Sequence, residues 1–438
     1  MKRPKVKIIY ILCHPPQPII YKYKNPEDYF SNMGKGSYTK LDKFPYWVGF
    51  FSNDHHAVAA HKLNQLTDEF DIECWRIYGN TINQIYLKYI EGITHKVFPS
   101  YSVNIPQVGR GNFSPALLNY LIDYLKKNKV ILNVSVGHAW FHIWLFFKLK
   151  KYKPQLPIVA VHLSGGFKIF NYYRLSTIKK IFKFYYLIEH KIDKKSLSLI
   201  DHYYIGSKIE ADYLKDCKQI NSSFYTGGVD FDYFKPSLDK LSIRHELGLP
   251  IDKKIMIVTG NFRSSDYGYH HLIECYKQIK TQHNDLQLII VGGYKNEDLY
   301  DLGQQAGILM IERVKKETLL KFYQASDFYG QPAFGYGFIN YGGFGFAMME
   351  ALACGLPIIS QNIIHFPGTL EERNKIGFDM PTKEALIKNI IYLKDNFKEF
   401  TECRTIAQKY FDIKMTQNIY LNKYRELALK YFGIDTTS

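Results

Sequence analysis

Gly342-Gly343-Phe344-Gly345-Phe346-Ala347-Met348-Met349-Glu350-Ala351-Leu352-Ala353-Cys354-Gly355-Leu356-Pro357-Ile358-Ile359-Ser360 joins a glycine-rich turn to a helix and then to a buried strand. A backbone that wraps a phosphate has this form. Glycines let the chain approach an anion closely, N–H groups at a helix start point at it, and the helix dipole adds about half a positive charge there. The backbone of Gly343, Phe344, Gly345 and Phe346 is therefore the predicted anion cradle. Glu350, one turn into the helix, is placed to accept hydrogen bonds from ribose hydroxyls. The glycines alone are equally consistent with an ordinary loop, helix and strand of an α/β domain.

The rest of the chain supplies the frame. Its 438 residues exceed one compact core and suit two domains of about 200 residues each. Apolar residues make up 46%, with no low-complexity tail and no internal repeat. The enrichment in Tyr, Phe, Ile, Lys and Asn runs along the whole chain, so aromatic clusters carry little weight as stacking sites. Six cysteines, at 13, 74, 217, 275, 354 and 403, are scattered without a C-x-x-C pair. That argues against a structural zinc or a disulfide framework and predicts a reducing cytoplasm. Lys2, Arg3, Lys5 and Lys7 before Ile8-Ile9-Tyr10-Ile11-Leu12 imitate a signal peptide, but His14-Pro15-Pro16 ends the apolar run too soon. The stretch from Ala139 to Phe147 falls well short of the roughly 20 residues needed to span a bilayer.

The net charge of +16 is uneven. Residues 1–235 hold roughly 33 Lys/Arg against roughly 18 Asp/Glu, about +15, and the remainder is near neutral. The densest run goes from Lys126 through Lys148, Lys150, Lys151 and Lys153 to Lys168, Arg174, Lys179, Lys180, Lys183, Lys191, Lys194 and Lys195. A solvated face is the plainer reading; attraction to anionic headgroups or an anionic acceptor is the sharper one. Nucleic acid is disfavoured, because no helix-turn-helix, RRM or KH signature accompanies the charge.

Strand-like runs alternate with helical ones along the first half. Lys7–Leu12, Asp71–Ile77, Val130–Val136, Ile158–His162 and His202–Gly206 read as strands. Ala57–Phe70, with Ser52, Asn53 or Asp54 as caps, and Pro115–Lys127 read as helices. The segment from 20 to 50 is long for a strand-to-helix connection, the kind that is commonly functional or mobile. A boundary falls near Gly228-Val229-Asp230-Phe231-Asp232-Tyr233-Phe234-Lys235-Pro236. Beyond it, Ile255–Thr259, Leu288–Val291, Ile308–Ile311, Asp327–Tyr329 and Pro357–Ser360 form a second strand series, with His271–Lys280 and Lys316–Ala325 as helices. The fold class predicted is α/β with two doubly wound, Rossmann-like parallel-sheet domains facing a central cleft. Ligands of such sheets bind outside the carboxyl ends of the strands.

The order G-G-F-G-F-x-x-x-E-A-x-A-C-G-x-P-I-I resembles the nucleotide-sugar segment of retaining family-4 glycosyltransferases of the GT-B fold, the glycosyl transferases group 1. Gly228-Val229-Asp230 with Phe234-Lys235-Pro236 is similar to their hinge, and Val258-Thr259-Gly260-Asn261-Phe262-Arg263 to their V-G-R-L block. Ile290-Val291-Gly292-Gly293, Ala325-Ser326-Asp327 with Pro332, and Phe411 to Tyr424 resemble further landmarks in the right order. The resemblance implies an N-terminal acceptor-side domain over 1–233, a nucleotide-sugar-binding domain over 234–410, and a C-terminal helix, 411–438, returning across the cleft.

It also implies a metal-independent, hexosyltransferase-like enzyme with no cofactor beyond a nucleoside-diphosphate sugar as co-substrate. Glu350 would hold ribose. The family's arginine and lysine on the diphosphate are replaced by Asn261 and Tyr267, so Arg263 becomes the candidate cation; a surface arginine is the bland reading. Val134-Ser135-Val136-Gly137-His138-Ala139 resembles the segment with the family's active-site histidine, which makes His138 the catalytic candidate and His162 its rival. His55, His56 and His61 lack a carboxylate pattern, and the two adjacent rings point to different helix faces, so no metal is expected there.

Three departures stand out. Gly342 occupies the position of a second family glutamate, residues 333–341 form an insertion where the sugar would be read, and His14-Pro15-Pro16 replaces a glycine pair.

The implied activity is retaining sugar transfer to an acceptor hydroxyl, by front-face attack in a cleft closed by domain motion, in cell-surface polysaccharide, glycolipid or glycoprotein glycan assembly. The basic first domain suggests a glycan or lipid-linked acceptor at the cytoplasmic membrane face. A GT-B-shaped protein that binds a nucleotide sugar or a partner without transfer is the alternative from another class. A GT-B epimerase would need paired carboxylates that the sequence does not offer.

Overall fold

The computed structural model describes residues 5–12, 55–79, 83–105, 109–136, 139–162, 187–188, 191–192, 194–206, 211, 214, 221–224, 227–260, 268–292, 298–312, 314–331 and 343–436. These form two compact units, one from the residues up to 224 together with those from 417 onward, the other from 227 to 416.

The first unit is built on an eight-stranded sheet. Its strands are β1 (Lys7–Leu12), β2 (Asp71–Gly79), β3 (Tyr86–Ile90), β4 (Ile93–Pro99), β7 (Val130–Val136), β8 (Ile158–His162), β9 (His202–Ile205) and β10 (Ser222–Phe224). They lie in the order β10-β9-β8-β7-β1-β2-β4-β3, and a separate hairpin joins β5 (Tyr101–Ile105) to β6 (Gly109–Phe113). Strand β1 explains why the sheet has two covered faces. Ile9 and Ile11 enter one apolar cluster with Leu117 and Leu121 of α2 (Pro115–Lys127), while Ile8, Tyr10 and Leu12 enter another with Ala60 and Leu63 of α1 (His55–Leu66). Successive side chains of a strand point to opposite faces, so an unbroken apolar run needs a helical layer on each. Ser114 starts α2 by accepting the Leu117 N–H at 3.2 Å, with Pro115 in the first turn where a missing N–H costs nothing, and α3 (Ala139–Tyr152) follows β7.

The sheet is parallel except at one edge, where β3 runs antiparallel to β4. Glu91 and Gly92 connect them with φ of 44° and 88°, a two-residue turn with both residues left-handed.

The second unit holds six parallel strands, β11 (Lys254–Thr259), β12 (Leu286–Val291), β13 (Leu309–Ile311), β14 (Phe328–Gln331), β15 (Ile358–Ser360) and β16 (Gly377–Phe378), in the order β13-β12-β11-β14-β15-β16. The same two-faced logic applies. Ile255 and Ile257 pack into one cluster and Met256 and Val258 into another. Helices α4 (Lys240–Glu246), α5 (Tyr269–Lys280), α6 (Asp298–Gln305), α7 (Lys316–Ala325), α8 (Phe346–Ala353), α9 (Leu370–Asn374), α10 (Lys383–Asn396) and α11 (Cys403–Phe411) complete it. Buried Asp327 ties the layers together. Its carboxylate accepts from Arg244 at 2.8 Å, from Lys240 at 3.0 Å and from the Ile255 N–H at 2.8 Å.

The last helix, α12 (Ile413–Phe432), starts in the second unit, and from Gln417 its residues belong to the first. There Tyr420, Leu421, Tyr424 and Leu427 join the cluster of Ile8 and Tyr10. Tyr424 Oη accepts from Asn133 Nδ2 at 2.5 Å and donates to Tyr10 Oη at 3.2 Å. Among the described residues, no helix is long and apolar enough to cross a membrane. Cys74, Cys275, Cys354 and Cys403 are buried free thiols.

Candidate functional site

The carboxyl ends of β11, β12 and β14 and the start of α8 supply the parts of the second unit that the sequence singled out. Gly260 follows β11 and Gly292 follows β12. A Cβ on Gly292 would sit 2.0 Å from the Gly260 carbonyl oxygen, and one on Gly260 would sit 2.3 Å from Tyr269 Oη. Only bare backbone fits at this rim.

Gly343 turns the chain into α8 with a left-handed φ of 59°. Phe344 is then buried, its ring stacked 4.7 Å from that of Phe411 and tilted against that of Phe366 at 5.8 Å. That anchor fixes where Gly345 begins the helix. No side chain caps α8, and the N–H groups of Met348 and Met349 already bond to the Gly345 carbonyl at 3.1 and 3.2 Å. The start of the helix therefore keeps the positive end of its dipole uncompensated by any acidic residue in the first turn.

Glu350 lies one turn further and is 9% exposed. Its Oε2 accepts from Tyr323 Oη at 3.2 Å. Tyr323 Oη is also 3.1 Å from Thr259 Oγ1, which lies 3.5 Å from Tyr329 Oη. Thr259 is the last residue of β11, so this string of hydroxyls runs from the sheet rim to the carboxylate. Burial pushes the Glu350 carboxyl up to about 7, against the pull of Lys316 and the Tyr323 hydrogen bond. Such a group sits between charged and neutral near physiological pH, and burial with too few donors is its cause. Ribose hydroxyls are donors of the kind it lacks. Burial also pushes the pKa of Tyr323 and Tyr329 well up, so both remain hydroxyls.

The site residues of the sequence reading fall into two groups. Gly343, Phe344, Gly345, Phe346 and Glu350 come together around the start of α8. Arg263 and His138 lie outside the described residues, as do Asn261, Tyr267, Gly342 and the insertion 333–341. The caps considered for α1, Ser52, Asn53 and Asp54, and the segment 20–50 lie outside them too. His162 ends β8 as expected.

Sequence reasoning missed three contributors. Tyr323, on α7, gave no motif, and Thr259, although part of the V-G-R-L-like block, reaches Glu350 only through the Tyr323 hydroxyl. Arg404 was also missed. It donates to the Phe234 carbonyl at 2.9 Å, to that of Phe231 at 2.8 Å and to that of Ala353, fastening the glycine-valine-aspartate segment beside the end of α8. In the first unit, His61 meets His95 of β4, Nε2 to Nε2 at 2.8 Å. Burial holds His61 down at about 4. Among the described residues, no cluster of three or more His, Cys, Asp or Glu could hold a metal ion.

Residues 239–410 match the family model described as glycosyl transferases group 1. The D-inositol 3-phosphate glycosyltransferase of Corynebacterium jeikeium is 28% identical over 147 residues, 30% of this chain and 33% of that protein. The chain spans about a third of the length of the first curated relatives it matches. Among solved structures, sucrose-phosphate synthase from Thermosynechococcus elongatus aligns over 96% of this chain and 99% of its own, with a TM-score of 0.65 and 16% identity. Anabaena HepE, solved in complex with UDP, aligns over 96% and 100%, with a TM-score of 0.63 and 12% identity. The chain has the GT-B fold.

Proposed function

We propose that this GT-B chain, whose residues 239–410 match the glycosyl transferases group 1 model, is a glycosyltransferase that moves a sugar from a nucleoside-diphosphate sugar to an acceptor hydroxyl. One observation carries the reading. A buried carboxylate short of donors stands one turn inside a helix whose uncapped start follows a left-handed glycine turn. Glu350 binds ribose, and the backbone from Gly343 to Phe346 binds the diphosphate with Arg263. His138 orients the sugar and the attacking hydroxyl. The roles of Arg263 and His138 rest on resemblance alone.

The reaction retains configuration. The bond from the anomeric carbon to the diphosphate breaks, the acceptor oxygen bonds to the same face, and its proton passes to the departing phosphate oxygen. No resident cofactor or metal takes part, and the helix start and Arg263 offset the charge of the leaving group instead. The acceptor belongs to cell-surface polysaccharide, glycolipid or glycoprotein glycan assembly. The excess charge of the first half suits an acceptor at an anionic membrane face.

A panel of UDP-, GDP- and ADP-sugars tests this by thermal shift. One of them is expected to raise the melting temperature of the wild type, and Glu350→Ala is expected to abolish that rise. No shift with any donor, or an undiminished shift in Glu350→Ala, defeats the reading. Donor binding without transfer to any acceptor or to water would point to a nucleotide-sugar-binding protein, a reading that the departures at Gly342, Asn261 and Tyr267 favour.

A further inference from the structure

The segment that enters the second unit runs alongside α8. A Cβ on Gly227 would touch the Phe346 ring at 2.3 Å, at the start of the helix. Arg404 joins the carbonyls of Phe231 and Phe234 to that of Ala353 at the end of it. Tyr233 belongs to this segment, between the Phe231 and Phe234 anchors, and lies near enough for the Glu350 charge to act on its hydroxyl. A nucleotide whose phosphates meet the helix start and whose ribose meets Glu350 brings its base to the same neighbourhood.

The surroundings of Tyr233 are built but incomplete. Lys316 Nζ stands 4.9 Å from the centre of the Tyr233 ring and 5.2 Å from that of Phe234. The two rings meet edge to face at 5.1 Å, and Phe234 in turn meets Tyr323, the donor to Glu350, at 6.3 Å. This continuous aromatic wall links Lys316 to the ribose carboxylate. The ring of Tyr233 is thus held firmly, yet its buried hydroxyl has no hydrogen-bond partner among the described residues. A buried hydroxyl left unpaired is costly, and a tyrosine in that state calls for an explanation. Burial and the nearby charges of Glu317 and Glu350 push its ionisation up to about 12, so it stays able both to donate and to accept.

We propose that Tyr233, its ring held against Phe234 and beneath Lys316, reads the base of the nucleoside diphosphate through its free hydroxyl; the proposal rests on the nucleotide-sugar reading of the same site. Base edges differ in where they donate and accept. A single fixed hydroxyl therefore discriminates between them, and leaving it unpaired against the wrong base penalises that base.

The test measures dissociation constants for UDP, GDP and ADP with the full chain as wild type, Tyr233→Phe and Lys316→Met. Tyr233→Phe keeps the ring and removes one oxygen. It is expected to leave the unliganded melting temperature unchanged or higher, to weaken the best-bound nucleotide about three- to tenfold, and to narrow the spread among the three bases. Lys316→Met, which loosens the ring but keeps the hydroxyl, is expected to narrow the spread less. Equal loss for all three nucleotides, or no loss, with the wild type binding normally, overturns this inference alone. A fall in unliganded melting temperature with discrimination intact overturns it as well, since that marks a structural hydroxyl. If the wild type binds none of the three, the proposed function fails and this inference falls with it.

Discussion

Glu73 in the first unit and Glu350 in the second are both withdrawn from water, 5% and 9% exposed, yet their neighbours drive them in opposite directions. Glu73 Oε2 accepts from Trp75 Nε1 at 2.8 Å and from the Lys96 ammonium, and Oε1 accepts from the Tyr124 hydroxyl. Lys96 is itself enclosed by the rings of Trp75, Tyr120 and Tyr124 at 4.7, 5.2 and 4.8 Å. Burial pushes the Glu73 carboxyl up, but the hydrogen bonds from Lys96, Tyr124 and Trp75 outweigh it and hold the group below the ordinary carboxylate range. Glu350 has one hydroxyl donor and a more distant lysine, and burial prevails. A buried carboxylate held by three donors is part of the frame. One with lone pairs to spare is poised for a ligand.

The comparison breaks most visibly at Lys96. Lys96→Met fits the aromatic enclosure but leaves Glu73 buried without its main partner. The expected loss of stability is about 3–5 kcal/mol, the range for removing one member of a buried pair. Chemical denaturation measures it. The double variant Lys96→Met/Glu73→Leu is expected to recover much of that loss, because no uncompensated charge remains. A single variant as stable as wild type would mean that Glu73 is not held by Lys96 at all.

Glu350→Gln sharpens the other half. In the folded chain this carboxyl is raised from 4.5 to about 7, so the folded state holds the proton more tightly than the unfolded state. Stability then falls as pH rises from 4.5 through 7, and the loss is complete above that window. Glutamine keeps the hydrogen bond from Tyr323 and has nothing to ionise. The variant is expected to match wild type near pH 4 and to exceed it at pH 8 by about 3 kcal/mol, while losing nucleotide binding. Melting curves from pH 4 to 8 check this. A difference independent of pH would show that Glu350 is not the group out of balance.

The two units were not equally legible. Strands β1, β7, β8 and β11 could be read because each is a short, mostly apolar run, and such runs report burial on both faces. The β3–β4 hairpin was missed: its left-handed turn is Glu91-Gly92, without the asparagine or aspartate that usually announces one. The start of α8 was legible because glycine, helix and carboxylate are contiguous in sequence. Tyr323 and Arg404 were not, since each reaches the site by tertiary contact and carries no local signal. Glu73 was equally silent. Its partners Lys96 and Tyr124 lie on β4 and α2, and nothing in Asp71–Ile77 distinguishes a structural glutamate from a reactive one.

The smallest expected effect lies at Tyr323, and it separates a hydroxyl that steers Glu350 from one that merely packs beside it. Tyr323→Phe removes the hydrogen bond of 3.2 Å that favours the ionised carboxyl and keeps the ring in the cluster with Phe234 and Tyr329. Without that donor the Glu350 carboxyl rises further. At pH 7 less of it is ionised, and nucleotide affinity is expected to fall about two- to fivefold. As pH rises to 8.5 the carboxylate returns and the gap to wild type is expected to narrow, because the variant has lost charge and not shape. Isothermal titration of the best-bound nucleoside diphosphate at pH 6.5, 7.5 and 8.5 reads the trend. A constant factor at all three would assign Tyr323 to packing. A converging one would tie the hydroxyl string that begins at Thr259 to the charge state of Glu350, the residue proposed to hold the ribose.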